Sequence, residues 1–276
     1  MLQTTVPILA LAALATAIGP SSGSAAAELD PSTVAAFNRY VALTEAQRAA
    51  DTRFLWVDGD TADDRRRLDG VRSGTLVIEA LETRDGTRPI AIPGGLVHHW
   101  IGVAFVPRAT VDQALSLLQD YDRHAEIYKP NVAASKLLSR NGDDFKVSLR
   151  FFMKKVITVV INSEHEAHFT RLSPSRAQSR IVSTRIAEVE NPNTPQEREK
   201  AVGNDGGYMW RLNSYWRLAE RDGGVYVQCE SISLTRGIPT GLGWIVRPFV
   251  TSIPRETLTF TLETTRKMLQ GGTARQ

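Results

Sequence analysis

Ionisable side chains that interrupt apolar, strand-like runs are where this 276-residue chain can do chemistry. Arg150, Arg185, Glu188, Arg211, Arg217 and Glu230 all stand in such surroundings. Half of the positions in a strand face each way, so a charge there is either part of a surface ladder or is turned inward and paired. Alternation puts Glu230 on one face with Tyr226, Gln228 and Ile232, and Cys229 on the other with Val227. A Glu230–Arg pair at the wall of a cavity would orient a polar head group. Glu230, His98, His99 and Tyr215 are also the candidates for a general acid or base, should the chain be an enzyme.

The second group is aromatic. Trp100, Tyr128, Trp210, Tyr215, Trp216 and Trp244 concentrate in the later part of the chain. Core packing explains any one of them, whereas several together with a few polar partners make a ligand pocket. Trp210 and Trp216 are expected on one side of a strand and Tyr215 on the other. Trp244 and Phe249 are placed to close the mouth where the last helix begins. With Arg150, Arg185 and Glu230, these are the candidate ligand-binding residues.

Other chemistries lack their residues. His98 and His99 are adjacent in a strand and point to opposite faces, and His165 and His168 also diverge, so no metal site is expected. No cofactor is expected either. The glycines of 237–243 match neither phosphate-binding fingerprint, and no Gly-x-Ser-x-Gly elbow is present. Cys229 is the sole cysteine, so no internal disulfide forms. The net charge of +3 is spread along the chain, and the densest basic cluster, Arg65-Arg66-Arg67, is flanked by Asp63, Asp64 and Asp69. That reads as a solvated helix face, and no nucleic acid partner is expected.

The elements that must position these residues follow from periodicity and breakers. Val6 to Ile18 is an apolar run, ended by Gly19-Pro20 and a small-residue stretch to Ala27. This resembles a cleaved export signal over residues 1–27, without the usual basic start, with an uncleaved anchor or a misassigned start as the alternatives; a cleaved signal places the mature protein in the periplasm or outside the cell. Pro31 to Ala50 reads as a helix capped by Asp30, with Val34, Phe37, Val41 and Leu43 as its stripe. Thr61 to Leu68 is a second helix, and Asp85-Gly86 turns a hairpin. Residues 28–96 are too few and too polar for a core of their own, so they are expected to pack as an extension on a main domain at 97–270. Residues 271–276 form a disordered tail.

The main domain opens with a strand over Leu96 to Val106. A helix capped by Thr110 and a further turn near His124 to Tyr128 follow. Strands are then expected at Val132 to Leu138, Asp144 to Met153, Val156 to Phe169, Arg176 to Val189, Trp210 to Leu218 and Val225 to Leu234. The loop at 191–207 is long enough to be a lid or an insertion. The final segment fits a strand by its threonines and a helix by Pro254 and its length; the helix is the better reading.

The stretches LSLLQDYDRHAEIYKP, FKVSLRFFMKKVITVVI and GVYVQCESISLTR, with the closing GLGWIVRPFVTSIPRETLTFTLETTRKML, resemble the START-like or SRPBCC superfamily. That superfamily includes polyketide cyclases, aromatase/cyclases, coenzyme Q-binding proteins and lipid-transfer domains. The resemblance covers residues 97–270 and implies an α+β helix-grip fold: a curved antiparallel sheet wrapped around a long C-terminal helix, with a cavity between. It transfers no substrate. The leading expectation is a non-enzymatic binder or carrier of a hydrophobic small molecule or lipid, in transient contact with a membrane. The alternatives are a cyclase or dehydratase acting on a hydrophobic substrate, and a cell-envelope interaction module that docks through 28–96.

Overall fold

The computed structural model describes residues 27–154, 158–238 and 243–273, with side chains from 28 on and not at 243–251 or beyond 271. The export-signal segment therefore lies outside the described residues. The chain begins with β1 (Ala27–Glu28), α1 (Pro31–Ala50) and α2 (Ala62–Arg72), then β2 (Val77–Ala80) and the short hairpin β3 (Arg84–Asp85) and β4 (Arg88–Pro89). The main run is β5 (Gly95–Pro107), α3 (Val111–Gln119), α4 (His124–Ile127), β6 (Val132–Asn141), β7 (Asp144–Lys154), β8 (Thr158–Ser173) and β9 (Arg176–Glu190). After the two-residue strands β10 (Arg198–Glu199) and β11 (Asn204–Asp205) come β12 (Arg211–Arg221), β13 (Gly224–Arg236) and α5 (Gly243–Thr273).

Local chemistry sets the boundaries. Asp30 caps α1 by accepting from Ser32 N at 2.7 Å. Thr61 and Asp64 form a capping box on α2, and Thr110 and Gln113 form another on α3. Gly86 and Gly142 turn their hairpins at φ of 60° and 59°, where a side chain is strained. The final segment is a helix: its Thr259, Thr261 and Thr265 hydroxyls donate to carbonyls four residues back, which lets threonine sit inside it. It runs to Thr273, past the expected start of the tail at 271.

The large sheet has nine strands in the order β2-β5-β13-β12-β9-β8-β7-β6, with β10 hydrogen-bonded beside β9. All of its pairings are antiparallel. α5 lies along the inner face, in contact mainly with β5. Gly102 is the point of closest approach, since a Cβ there would stand 2.5 Å from Leu262 Cδ1. Leu258, Leu262 and Leu269 of α5 join Val106, Phe145, Val147, Phe169, Leu218 and Val227 of the sheet, with Leu118 of α3, in the principal core.

The outer face is covered by the extension. Phe37, Tyr40 and Val41 of α1 pack on Tyr215, Ile232 and Leu234. The buried side of α1 is completed by Thr33 and Thr44. Val34 and Leu43, expected in its stripe, are only half-buried. The segment after α1 places Leu55 and Val57 against Val103 and Tyr226. Residues 28–96 thus form the third layer of the molecule, and β2 is itself an edge strand of the main sheet.

The loop after β9 is not a lid over α5. Glu197 and Glu199 reach Arg150 and Arg185 on the outer face, and β11 pairs with β1.

Candidate functional site

Register assigns each expected residue to a face. Trp100 belongs to the inner face and packs, half-buried, against the core that contains α5. Trp216 is buried in that core. Tyr128 closes the same side from the end of α4, and its hydroxyl lies 2.9 Å from Thr265 Oγ1 of α5.

Five other candidates face away from α5, which corrects their expected place at a cavity wall. Tyr215 is buried under α1 and donates to Glu45 Oε1 at 2.7 Å. Trp210 precedes β12, escapes its alternation, and packs with Tyr215 rather than with Trp216; its indole donates to Asp205 at 2.9 Å. Arg150 and Arg185 flank Asn162 on the outer face and are paired with Glu197 and Glu199. Glu230 is buried on the outer face, where Arg48 of α1 donates to it at 3.1 Å and His99 Nε2 lies 2.7 Å away. Burial pushes the Glu230 carboxyl up, but the His99 hydrogen bond and the Arg48 charge outweigh this and hold it below the usual value. The side chains of Trp244 and Phe249 lie outside the described residues.

The outer polar groups attach the extension to the sheet. Gln228 accepts from Trp56 N at 2.7 Å, and Arg217 donates to the Phe54 carbonyl at 2.8 Å. His99 Nδ1 also lies 3.0 Å from the Tyr40 hydroxyl. Polar side chains on this face meet unsatisfied backbone or opposite charge on the covering layer, as buried polar groups must.

The inner face is divided along its length. Toward the β13–β5 end that holds Val225 and Val106, its side chains are fully buried by α3 and the C-terminal half of α5. Toward the other end, Trp100, Leu149, Phe151, Ile181 and Leu212 are only half-buried. Leu149 and Phe151 share a contact cluster with Tyr128, Ile127 and Phe260.

Four polar residues that sequence reasoning did not select lie on this side. His165 Nε2 is 2.9 Å from Ser163 Oγ, and Ser179 stands between Phe169 and Trp216 in register. Tyr121 packs on Phe145 with ring centroids 5.6 Å apart, and His124 on Tyr121 at 4.7 Å. Burial lowers both His165 and His124 to about 4, and His98, which lies 3.0 Å from Thr235 Oγ1, to the same value. The Cys229 thiol is pushed up by burial, which keeps it protonated and unreactive.

Two surface clefts open on the extension instead. One of about 510 Å³ is lined by Asp51, Arg53, Asp58, Asp60, Asp64 and Arg176. The other, about 460 Å³, lies between α1 and the β3–β4 hairpin. Among the described residues, the large exposed hydrophobic side chains are Leu138, Leu172, Val202, Tyr208 and Met268, none of them in 28–96.

The strand order and the helix along the inner face define an α+β fold of the helix-grip kind. No family model and no curated protein matches the chain. Solved structures with a similar course include a STAR-related lipid transfer protein from Xanthomonas axonopodis, at 17% identity and a TM-score of 0.45, covering 70% of this chain and 98% of that one. The Zhui aromatase/cyclase of Streptomyces sp. R1128 is similar at 14% identity and 0.41, covering 63% and 94%. The lipid transfer and protein localization domain of human StarD13 is similar at 8% identity and 0.43, covering 77% and 98%.

Proposed function

We propose that the protein binds and carries a hydrophobic small molecule or lipid between the inner face of the sheet and α5. One observation carries this reading. Leu149, Phe151, Ile181 and Leu212 are apolar, face α5 by register, and are left half-buried, while the opposite end of the same face is closed. Apolar surface left open inside a fold gains roughly 25 cal/mol per Å² when a ligand covers it, before the costs of association. We place the protein outside the cytoplasm on the strength of the apolar run from Val6 to Ile18.

Three of the four acid–base candidates, Glu230, His99 and Tyr215, lie on the outer face beneath α1, so a reaction on the inner face would have only His98 among them. Carriage needs no such group.

The test is native mass spectrometry and organic extraction of the mature protein from its native envelope. A stoichiometric apolar ligand is expected. Empty protein that also fails to bind a broad panel of hydrophobic compounds would sink the reading. Amino-terminal sequencing of the recovered protein tests its export.

A further inference from the structure

Four carboxylates are buried among the described residues: Asp64, Glu188, Asp205 and Glu230. Three of them hold a cation. Asp64 meets Arg67 at 3.0 Å, Glu188 meets Lys200 at 3.2 Å, and Glu230 lies against Arg48. Asp205, only 1% exposed, is the exception. Its Oδ1 accepts from Gly207 N at 2.8 Å and from the Trp210 indole at 2.9 Å. Its Oδ2 is buried without a hydrogen-bond partner. Lys200 attracts it from a distance but is bound to Glu188, whose own charge repels it. Protonation is no remedy, because the acid would then carry a buried O–H with nothing to donate to. A carboxylate so placed calls for a positive charge.

Asp205 belongs to β11, which pairs with β1, and its partner in register is Ala27. Two residues on, Leu29 N donates to the Gly203 carbonyl at 2.6 Å. Hydrogen-bonded pairs recur at every second residue of an antiparallel ladder, so the Ala27 nitrogen faces the Asp205 carbonyl in the same way. An amide nitrogen has one proton, and the ladder uses it. An ammonium at that atom has three. One keeps the ladder bond, and the others point out of the ladder to either side, where the side chain of the opposite residue stands. Glu28 is exposed and points to the other face.

Ala27 also lies where the sequence offers a cut. Ser21 to Ala27 is the small-residue stretch behind the apolar run. Three successive bonds there, Ala25–Ala26, Ala26–Ala27 and Ala27–Glu28, have alanine on the leaving side and a small residue two places before it. That pattern does not choose among them. Hydrolysis of Ala26–Ala27 is the cut that leaves an amine on the atom opposite Asp205. A cut one bond earlier keeps the Ala27 nitrogen as an amide. A cut one bond later removes the Ala27 rung and puts the amine on Glu28, opposite Asn204. Hydrolysis by a leader peptidase consumes one water and leaves a carboxylate on Ala26 and an amine on Ala27. The amine takes up a proton at neutral pH, since an α-amine titrates at about 8.

We infer that the chain is processed between Ala26 and Ala27, and that the α-ammonium so formed pairs with Asp205 Oδ2 and locks β1 onto the loop after β9. The inference rests on the export reading and is independent of the carrier reading. The fold is completed only after the leader is removed.

The test starts from the chain exported with its own leader and recovered from the envelope. Amino-terminal sequencing is expected to begin at Ala27. A cut chain with any other first residue overturns the inference and leaves export standing; an uncut chain overturns the cleaved leader with it. The terminal amine of the recovered protein is then acylated with acetic anhydride over a series of pH values, and the amino-terminal peptide is read by mass spectrometry. Pairing with the carboxylate is expected to slow acylation at neutral pH about tenfold relative to Asp205→Asn, which keeps an acceptor for Gly207 and Trp210 and removes the charge. The amine is expected to titrate above the ordinary value of about 8 in the unaltered protein and near it in the variant. Glu188 and Lys200, the other charges acting on Asp205, are present in both. Equal rates in the two proteins overturn the inference. If Asp205→Asn fails to fold, an ordinary titration of the amine in the unaltered protein overturns it alone.

Discussion

Glu230 Oε1 and His99 Nε2 lie 2.7 Å apart on the face of the sheet that points away from α5. Arg48 of α1 completes the group from the covering layer, with only 15% of its side chain exposed. Removal of one member leaves a buried charge with too little compensation. Arg48→Met is therefore expected to destabilise the fold by about 3 kcal/mol, read from urea unfolding. Ligand binding to the surviving folded protein is expected to stay unchanged, because the group lies across the sheet from the inner face. A parallel loss of binding would mean that the two faces are not independent.

Stability is expected to fall in mild acid. His98, His124 and His165 titrate near 6.5 in an unfolded chain and near 4 when buried. Between those values the unfolded state binds more protons. The stabilisation is therefore complete above 6.5 and drains away as pH falls toward 4, at about 1.4 kcal/mol per pH unit for each histidine within that window. Glu230 acts in the same sense lower down, since its carboxyl is held below the ordinary value and its contribution is lost as pH falls through the folded value. Urea midpoints at about pH 7 and about pH 5 check this; equal midpoints would show that the imidazoles are not buried as described.

Gly102→Val is expected to lift α5 from the sheet. The added Cβ would meet Leu262 at 2.5 Å and Ile78 at 3.0 Å. Overpacking of this kind costs about 1–3 kcal/mol, and the thermal midpoint should drop accordingly. Gly102→Val with Leu262→Ala should recover part of the loss, which distinguishes a clash with that side chain from a general backbone effect.

A chain starting at residue 97 is expected not to fold. It would lose β2 from the sheet edge and uncover Tyr226, Ile232 and Leu234, all of them essentially inaccessible in the intact fold. A cooperative unfolding transition in that fragment would show that the extension is an accessory rather than a structural layer.

The helix-grip order was legible because each element carries its own local mark: the Thr110 cap, the Asn141-Gly142 turn, and the strict alternation from Phe145 to Met153. The faces were not. β13 is apolar on both sides, Val225 and Val227 toward α5 and Tyr226, Ile232 and Leu234 away from it. Alternation separates the two sets without saying which one meets the helix. A strand apolar on both faces must be covered on both, and residues 28–96 were the chain available to do it. That is the signal that turns Glu230 and Tyr215 outward. Trp210 was misplaced by one residue of strand boundary, enough to lose the parity argument. Ser179, Ser214 and Ser231 carry no mark of their side in the sequence; only the register places them on the inner face.

Cys229 lies in the same row as Trp216 and Gly102, directly under the line of α5, and is fully enclosed. With no second thiol in the chain to compete for a reagent, the rate at which it is alkylated becomes a clock for how often the helix lifts from the sheet. Occupancy beneath the helix should slow that clock, so uptake of a cargo can be timed without a label on either partner.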